Sequence, residues 1–106
     1  MNIKVGCSKY KVKKISTKEF IDRYGEAGSE VYGYLDDVNG DIGINSEMCP
    51  QQKCITFWHE VTHALLEELG KNELSGDEDF VDGFGRQLYA LHQNNDIKKI
   101  HSYVVD

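Results

Sequence analysis

The sequence predicts an α+β fold in which a small antiparallel sheet packs on two helices, the second of them acidic, within one domain spanning residues 1–106. In the first 45 residues apolar and polar side chains alternate, the pattern of strands with one buried face. Two later stretches repeat apolar residues every three or four positions, as amphipathic helices do. A chain of 106 residues is long enough for one modest core.

The first predicted element is a β-hairpin over residues 3–15. Apolar residues alternate with polar ones on both sides of Gly6-Cys-Ser-Lys9, so one face of the hairpin should be buried. The residues of that face are Ile3, Val5, Tyr10, Val12 and Ile15.

A short helix is predicted next. Ser16-Thr-Lys-Glu19 has the capping-box pattern, in which the serine and the glutamate satisfy each other's backbone N–H groups. The helix should run to about Tyr24, with Phe20 and Ile21 facing the core, and should end at Gly25.

A second hairpin is predicted over residues 30–45. Val31–Asp36 and Asp41–Ile44 are its strands, and Asn39-Gly40 is its turn because this dipeptide tolerates positive φ. The strand over Asp41–Asn45 is short and contains a glycine, which favours an edge position. A substrate strand could pair with such an edge, main chain to main chain.

Two longer helices follow. Pro50 suits the first turn of a helix that should continue to about Leu69 and end at Gly70. After a loop, a second helix is expected from about Glu78 to His92. Its apolar stripe consists of Phe80, Val81, Phe84, Leu88 and Leu91. Residues 96–106 are compatible with one more helical turn or a short strand.

Composition and charge exclude several classes of protein. The net charge is −6 and no basic block exceeds the segment Lys9–Lys14, so direct binding of nucleic acid is not expected. No apolar run approaches the ~20 residues that cross a bilayer, and no signal-peptide core is present. We therefore expect a cytoplasmic protein with no membrane partner. Three cysteines, an odd number, favour free thiols over a disulfide framework.

The helix that begins at Pro50 carries the motif His59-Glu60-Val-Thr-His63. Residues four apart on an α-helix lie on one face, about 6 Å apart along the axis. Two imidazoles so placed can bind one Zn²⁺, and Glu60 can act as general base on a water there. The alternative is two unrelated histidines on a helix. The motif predicts one zinc ion held by His59 and His63.

A catalytic zinc site needs a third protein ligand. No histidine follows at the metzincin spacing, which excludes that subclass. Glu78 and Asp82 share one face of the next helix, so Glu78 could bind the metal while Asp82 accepts a hydrogen bond from a ligating imidazole. Alternatively, Glu78 only caps its helix, since Ser75-Gly-Asp-Glu78 is itself a capping box. The rival ligands are Asp79, Asp82, His92 and His101.

The order of hairpin, motif helix, loop and acidic helix resembles the ImmA/IrrE-type zinc metallopeptidases, gluzincins with a zincin-like fold that phages and mobile elements often encode. Their acidic helix commonly reads Glu-x-x-Ala-Asn-x-Phe-Ala. With Phe84 on the family's phenylalanine, Glu78 falls on its glutamate ligand and Gly85 on its second alanine. Asp82 stands where asparagine is usual. The resemblance covers roughly residues 30–90, and it implies a protein substrate such as a transcriptional repressor.

The leading hypothesis is therefore hydrolysis of peptide bonds, with Glu60 taking a proton from water and passing it to the leaving amine. Side chains that could support the transition state are Tyr32, Tyr34, Tyr89 and His92. An alternative is a non-catalytic zinc-binding module that interacts with other proteins. A protease acting on DNA-bound targets is a third hypothesis, for which the sequence offers no basic surface.

Overall fold

The computed structural model describes all 106 residues, which form a four-stranded sheet and five helices. The strands are β1 (Asn2–Val5), β2 (Ser8–Ile15), β3 (Gly33–Asp36) and β4 (Asp41–Asn45). The helices are α1 (Thr17–Tyr24), α2 (Pro50–Glu68), α3 (Asn72–Ser75), α4 (Glu78–Asn94) and α5 (Ile97–Val105), and a 3₁₀ turn spans Gly25–Glu30. The predicted α+β class is confirmed.

The sheet is mixed, with strand order β1-β2-β4-β3. β1 pairs with β2 and β3 with β4 in antiparallel fashion, as the two predicted hairpins require, but β2 and β4 are parallel. The prediction of a purely antiparallel sheet was wrong. After β2 the chain forms α1 and the 3₁₀ turn, and then enters β3 at the outer edge of the sheet. It returns as β4, which lies between β2 and β3.

The same topology corrects the predicted edge. β4 (Asp41–Asn45) lies between two strands, and Ile42 within it is completely buried. Its glycine serves packing instead: a Cβ on Gly43 would overlap the ring of Tyr34, which lies across that position and packs edge-on against Phe20. The free edges of the sheet belong to β1 and β3.

α1 begins with the predicted capping box, in which the Ser16 hydroxyl accepts a hydrogen bond from the Glu19 N–H at 3.1 Å. Of the two predicted core residues, Phe20 is fully buried but Ile21 is 38% exposed, so the prediction for Ile21 was wrong. The side of α1 that carries Ile21 faces solvent.

The turn between β3 and β4 contains four residues, 37–40, because β3 ends at Asp36 and two residues separate it from the predicted Asn39-Gly40 pair. Gly40 has φ of 71°, whereas Asn39 keeps a negative φ. The Asn39 N–H donates to the Asp36 carboxylate at 3.0 Å, which closes the turn without a left-handed asparagine.

α2 packs across one face of the sheet and carries the His59-Glu60-Val-Thr-His63 motif. It begins with Pro50 in its first turn, and Gly70, with φ of 71°, follows its end. The core between helix and sheet is formed by Val5, Tyr10, Ile42, Ile44, Val61 and Ala64.

α4 packs against α2 through a narrower face than its apolar stripe suggested. Val81 and Gly85 are buried there, whereas Phe80, Phe84 and Leu91 are 37%, 46% and 51% exposed. Of the predicted stripe, Val81 is buried and Leu88 is half-buried. Phe80 and Phe84 border an apolar pocket that Leu65 and Leu66 of α2 also line.

The remaining elements differ modestly from expectation. The loop before α4 contains the short helix α3, and the tail forms the nine-residue helix α5, capped by Asp96. The three cysteines are unpaired and exposed. None of the helices has the length and apolar character needed to cross a membrane.

Candidate metal site

Three side chains of α2 converge on one point. Ligand atoms of His59, Glu60 and His63 lie within 4.8 Å of one another, and the two imidazole rings are 5.0 Å apart with an edge-to-face orientation. This is the arrangement expected of residues i, i+1 and i+4 on a helix. The group is compatible with a bound metal ion.

Glu78, the first residue of α4, contacts both histidines. Its Oε2 lies 3.2 Å from Nε2 of His59, and its Oε1 lies 3.3 Å from Nε2 of His63. The Glu78 side chain is 66% exposed, so the carboxylate reaches the imidazoles from the solvent side. Asp79, the rival on the same turn, makes no ion pair with either histidine.

Each imidazole has a partner at its other ring nitrogen. Nδ1 of His59 lies 3.5 Å from Asp82, whose second oxygen accepts a hydrogen bond from Arg86 at 2.9 Å. Nδ1 of His63 lies 2.9 Å from the hydroxyl of Ser75 in α3. In both rings Nε2 therefore faces Glu78 while Nδ1 faces a separate polar group.

Glu60 is the most buried member of the group, with 7% of its surface exposed. Burial, with a smaller contribution from the nearby Glu78 charge, raises the pKa of Glu60 to about 7, and no hydrogen-bond donor of the protein reaches its carboxylate. A carboxyl group with these properties is suited to accept a proton near neutral pH.

Burial also acts on His63. It lowers the pKa of this imidazole; the nearby Glu78 charge raises it, the His59 charge lowers it, and the contact with Ser75 raises it. The neutral ring is therefore favoured, which is the form that binds metals.

A polar cleft of about 430 Å³ opens beside Glu60. His59, Asp82 and Arg86 line one side of it, and Tyr32 and Gly33, which lead into β3, line the other. The candidate base is thus a buried residue of a cleft whose lining also carries charged and hydroxyl groups.

Of the four side chains considered for transition-state support, only Tyr32 lines this cleft. Tyr34 points to the opposite sheet face, under the guanidinium of Arg23 at 5.0 Å. The His92 ring stacks on Trp58 at 4.5 Å, outside the cleft, and Tyr89 is half-buried on α4. His101 is exposed on α5.

Three contributors to the site had not been identified from the sequence. The sequence suggested Ser75 only as a helix cap. Asp77 instead caps α4, and its carboxylate accepts a hydrogen bond from the Phe80 N–H at 3.1 Å. Gly85 and Gly33 allow the close approach of α4 and β3 to α2. The sequence signals for the glycines were their occurrence inside a predicted helix and strand and, for Gly85, its place on the second alanine of the pattern that the acidic helix resembles.

No protein-family model matches the chain, and no match to it was found among the curated proteins or the solved structures.

Proposed function

We propose that this protein is a zinc-dependent metallopeptidase of the gluzincin type, with His59, His63 and Glu78 as metal ligands. The observation that carries the proposal is the position of the Glu78 carboxylate, 3.2 and 3.3 Å from the two Nε2 atoms. Two imidazoles and one carboxylate are a common ligand set of catalytic zinc.

The distances are compatible with a zinc ion, and each imidazole faces a different oxygen of Glu78. Around a tetrahedral ion with bonds of about 2.0–2.1 Å, neighbouring ligand atoms lie roughly 3.3–3.4 Å apart. The contacts between Glu78 and the imidazoles have this length. The partners at Nδ1, Asp82 and Ser75, leave the Nε2 atoms of both rings available to the ion.

Zinc, when bound, supplies Lewis-acid activation of water and of a peptide carbonyl. Glu60 supplies the proton transfers: its carboxylate takes a proton from the attacking water and delivers it to the leaving amine. Its burial and its freedom from protein hydrogen bonds support this role. The same properties favour a peptidase over a non-catalytic zinc module, which would have no use for a buried base.

An extended peptide could bind along the free edge of β3, because Gly33 borders the cleft. Asn45 N–H donates to the Tyr32 carbonyl at 2.8 Å, so the alternation of an antiparallel pair leaves the N–H and C=O of Gly33 and Leu35 pointing outward. These groups could form main-chain hydrogen bonds with a substrate strand.

The substrate class is a protein or peptide. A regulatory protein such as a repressor, in the cytoplasm, is the substrate implied by the resemblance to ImmA/IrrE-type peptidases. The substrate is inferred from the motif residues alone.

The test is a comparison of wild type with Glu60→Gln, using the exposed Glu26→Gln as a matched control. Metal content is measured by mass spectrometry, and cleavage by the appearance of new N-termini in a cell extract treated with each zinc-loaded protein. We expect one zinc per chain in all three proteins and new N-termini with wild type and Glu26→Gln only.

Equal cleavage by Glu60→Gln would overturn the peptidase mechanism. Wild-type protein that binds no zinc would overturn the metal site itself. Zinc binding without cleavage by any of the proteins would favour the non-catalytic zinc module.

A further inference from the structure

We infer that Ser75 is a positioning residue of the metal site, whose hydroxyl accepts a hydrogen bond from Nδ1 of His63 and so directs Nε2 of that ring toward Glu78. The inference rests on the proposed metal-binding function and adds a residue to it. Ser75 touches neither the metal position nor the cleft; it acts through His63.

The contact at Nδ1 of His63 is shorter than the contact at Nδ1 of His59. Ser75 Oγ lies 2.9 Å from Nδ1 of His63, whereas the nearest Asp82 oxygen lies 3.5 Å from Nδ1 of His59. When Nδ1 carries the proton, the lone pair of the neutral ring is on Nε2, the atom that faces Glu78. With a metal on Nε2 the proton of the neutral ring lies on Nδ1, and a serine that accepts from it holds the ring in the orientation that the metal requires.

The position of Ser75 in the chain gives the contact a second effect. Ser75 ends α3, in the connection between α2 and α4, and Glu78 follows three residues later. Backbone hydrogen bonds hold this connection: the Ser75 N–H donates to Lys71 at 3.0 Å, and the Asp77 N–H donates to Leu74 at 3.0 Å. The hydrogen bond to His63 thus connects one proposed ligand to the segment that positions another, Glu78.

The Ser75 hydroxyl is available for this contact because it forms no other hydrogen bond. The Ser75 side chain forms no helix cap, since Asp77 occupies the cap position of α4. It is half-buried, and its one side-chain hydrogen bond in the structure is the contact with His63.

Two measurements on Ser75→Ala, Ser75→Thr and the exposed control Ser102→Ala test the inference. NMR of the zinc-loaded proteins reports the hydrogen bond of His63 through the chemical shift and solvent exchange of its Nδ1–H proton, and competition with a chromophoric chelator gives the zinc dissociation constant. We expect Ser75→Ala to move the Nδ1–H signal upfield, to speed its exchange with solvent and to weaken zinc binding by about tenfold. Ser75→Thr, which keeps a hydroxyl, and Ser102→Ala should stay within twofold of wild type.

Zinc affinity of Ser75→Ala within twofold of wild type would overturn the inference, as would Ser75→Thr binding as weakly as Ser75→Ala. Circular dichroism establishes that each variant is folded. If wild type binds no zinc, the proposed function fails and the inference with it, whereas an unchanged Nδ1–H signal in zinc-loaded Ser75→Ala overturns the positioning role alone.

Discussion

Gly85 of α4 lies directly against the backbone of His59 in α2. A Cβ at Gly85 would be 3.0 Å from both Cα and N of His59 and 3.1 Å from the Trp58 carbonyl oxygen. At Gly83, two residues earlier on the same helix, a Cβ would meet nothing within 4 Å. The helices that carry the proposed ligands therefore approach each other closely at a glycine beside the backbone of His59.

Alanine substitutions at these two glycines should have opposite effects. Gly83→Ala should raise the free energy of unfolding by roughly 0.5–1 kcal/mol, because glycine is the poorer helix former. Gly85→Ala should lower it by about 1–3 kcal/mol, because backbone atoms of α2 must move to accept the methyl group. Urea unfolding monitored by circular dichroism measures both. Equal stabilisation by the two substitutions would contradict the close approach at Gly85.

Glu78→Gln should weaken zinc binding by roughly 100-fold or more, because it removes a charged ligand. Asp79→Asn is a matched control, since it removes the same charge from the same helix N-terminus without touching either imidazole. It should change zinc affinity less than twofold. Asp82→Asn should have an intermediate effect of about tenfold. Chelator competition ranks the three, and a larger loss at Asp79 or Asp82 would reassign the third ligand.

The sequence was sufficient to locate elements whose signals are local. The capping box at Ser16 fixed the start of α1, and Pro50 and Gly70 bounded α2, because caps and breakers act within a few residues. The two imidazoles of the motif could be paired for the same reason, since the helix itself sets their spacing.

Features that depend on distant parts of the chain could not be predicted from the sequence. Whether β4 lies at an edge is decided by β2, which precedes it by more than 25 residues, and Gly43 suggested the wrong position because its function is to accommodate Tyr34. Ser75 resembled a cap, and its contact with His63 depends on how the connection folds back along α2. Residues such as Gly43 and Ser75 resemble local signals in the sequence, but their roles are set by contacts made only in the folded chain.

Tyr32 and Tyr34 should differ in their effect on catalysis. Tyr32 is 55% exposed and lines the cleft, whereas the Tyr34 ring packs against Phe20 on the other sheet face. If a hydroxyl stabilises negative charge on the reacting carbonyl, Tyr32→Phe should lower kcat by about 100-fold, the usual effect of losing one such donor. Tyr34→Phe should leave kcat within twofold. A peptide substrate from the cleavage screen provides the assay, and equal rates for wild type and Tyr32→Phe would exclude this tyrosine.

Glu67, near the end of α2, carries a carboxyl oxygen that is buried without a hydrogen-bond partner. Burial raises the pKa of Glu67, and Asp37 in the turn between β3 and β4 raises it further by charge repulsion and by sharing a proton. Both causes disfavour the charged form in the folded protein. The native state therefore binds this proton more tightly than the unfolded chain does, so Glu67 contributes stability as the pH falls and costs stability at neutral pH.

Glu67→Gln should consequently raise the free energy of unfolding at pH 8 by roughly 1 kcal/mol, because an amide can donate a hydrogen bond to Asp37 where a carboxylate repels it. The gain over wild type should shrink as the pH falls through the raised pKa of Glu67, since wild type then protonates and recovers its own stability. Urea unfolding at a series of pH values measures the difference. Glu68→Gln, which removes an exposed carboxylate from the next position, is the control and should show no comparable gain. A gain for Glu67→Gln that is independent of pH would indicate that the charge of Glu67 is not its cause.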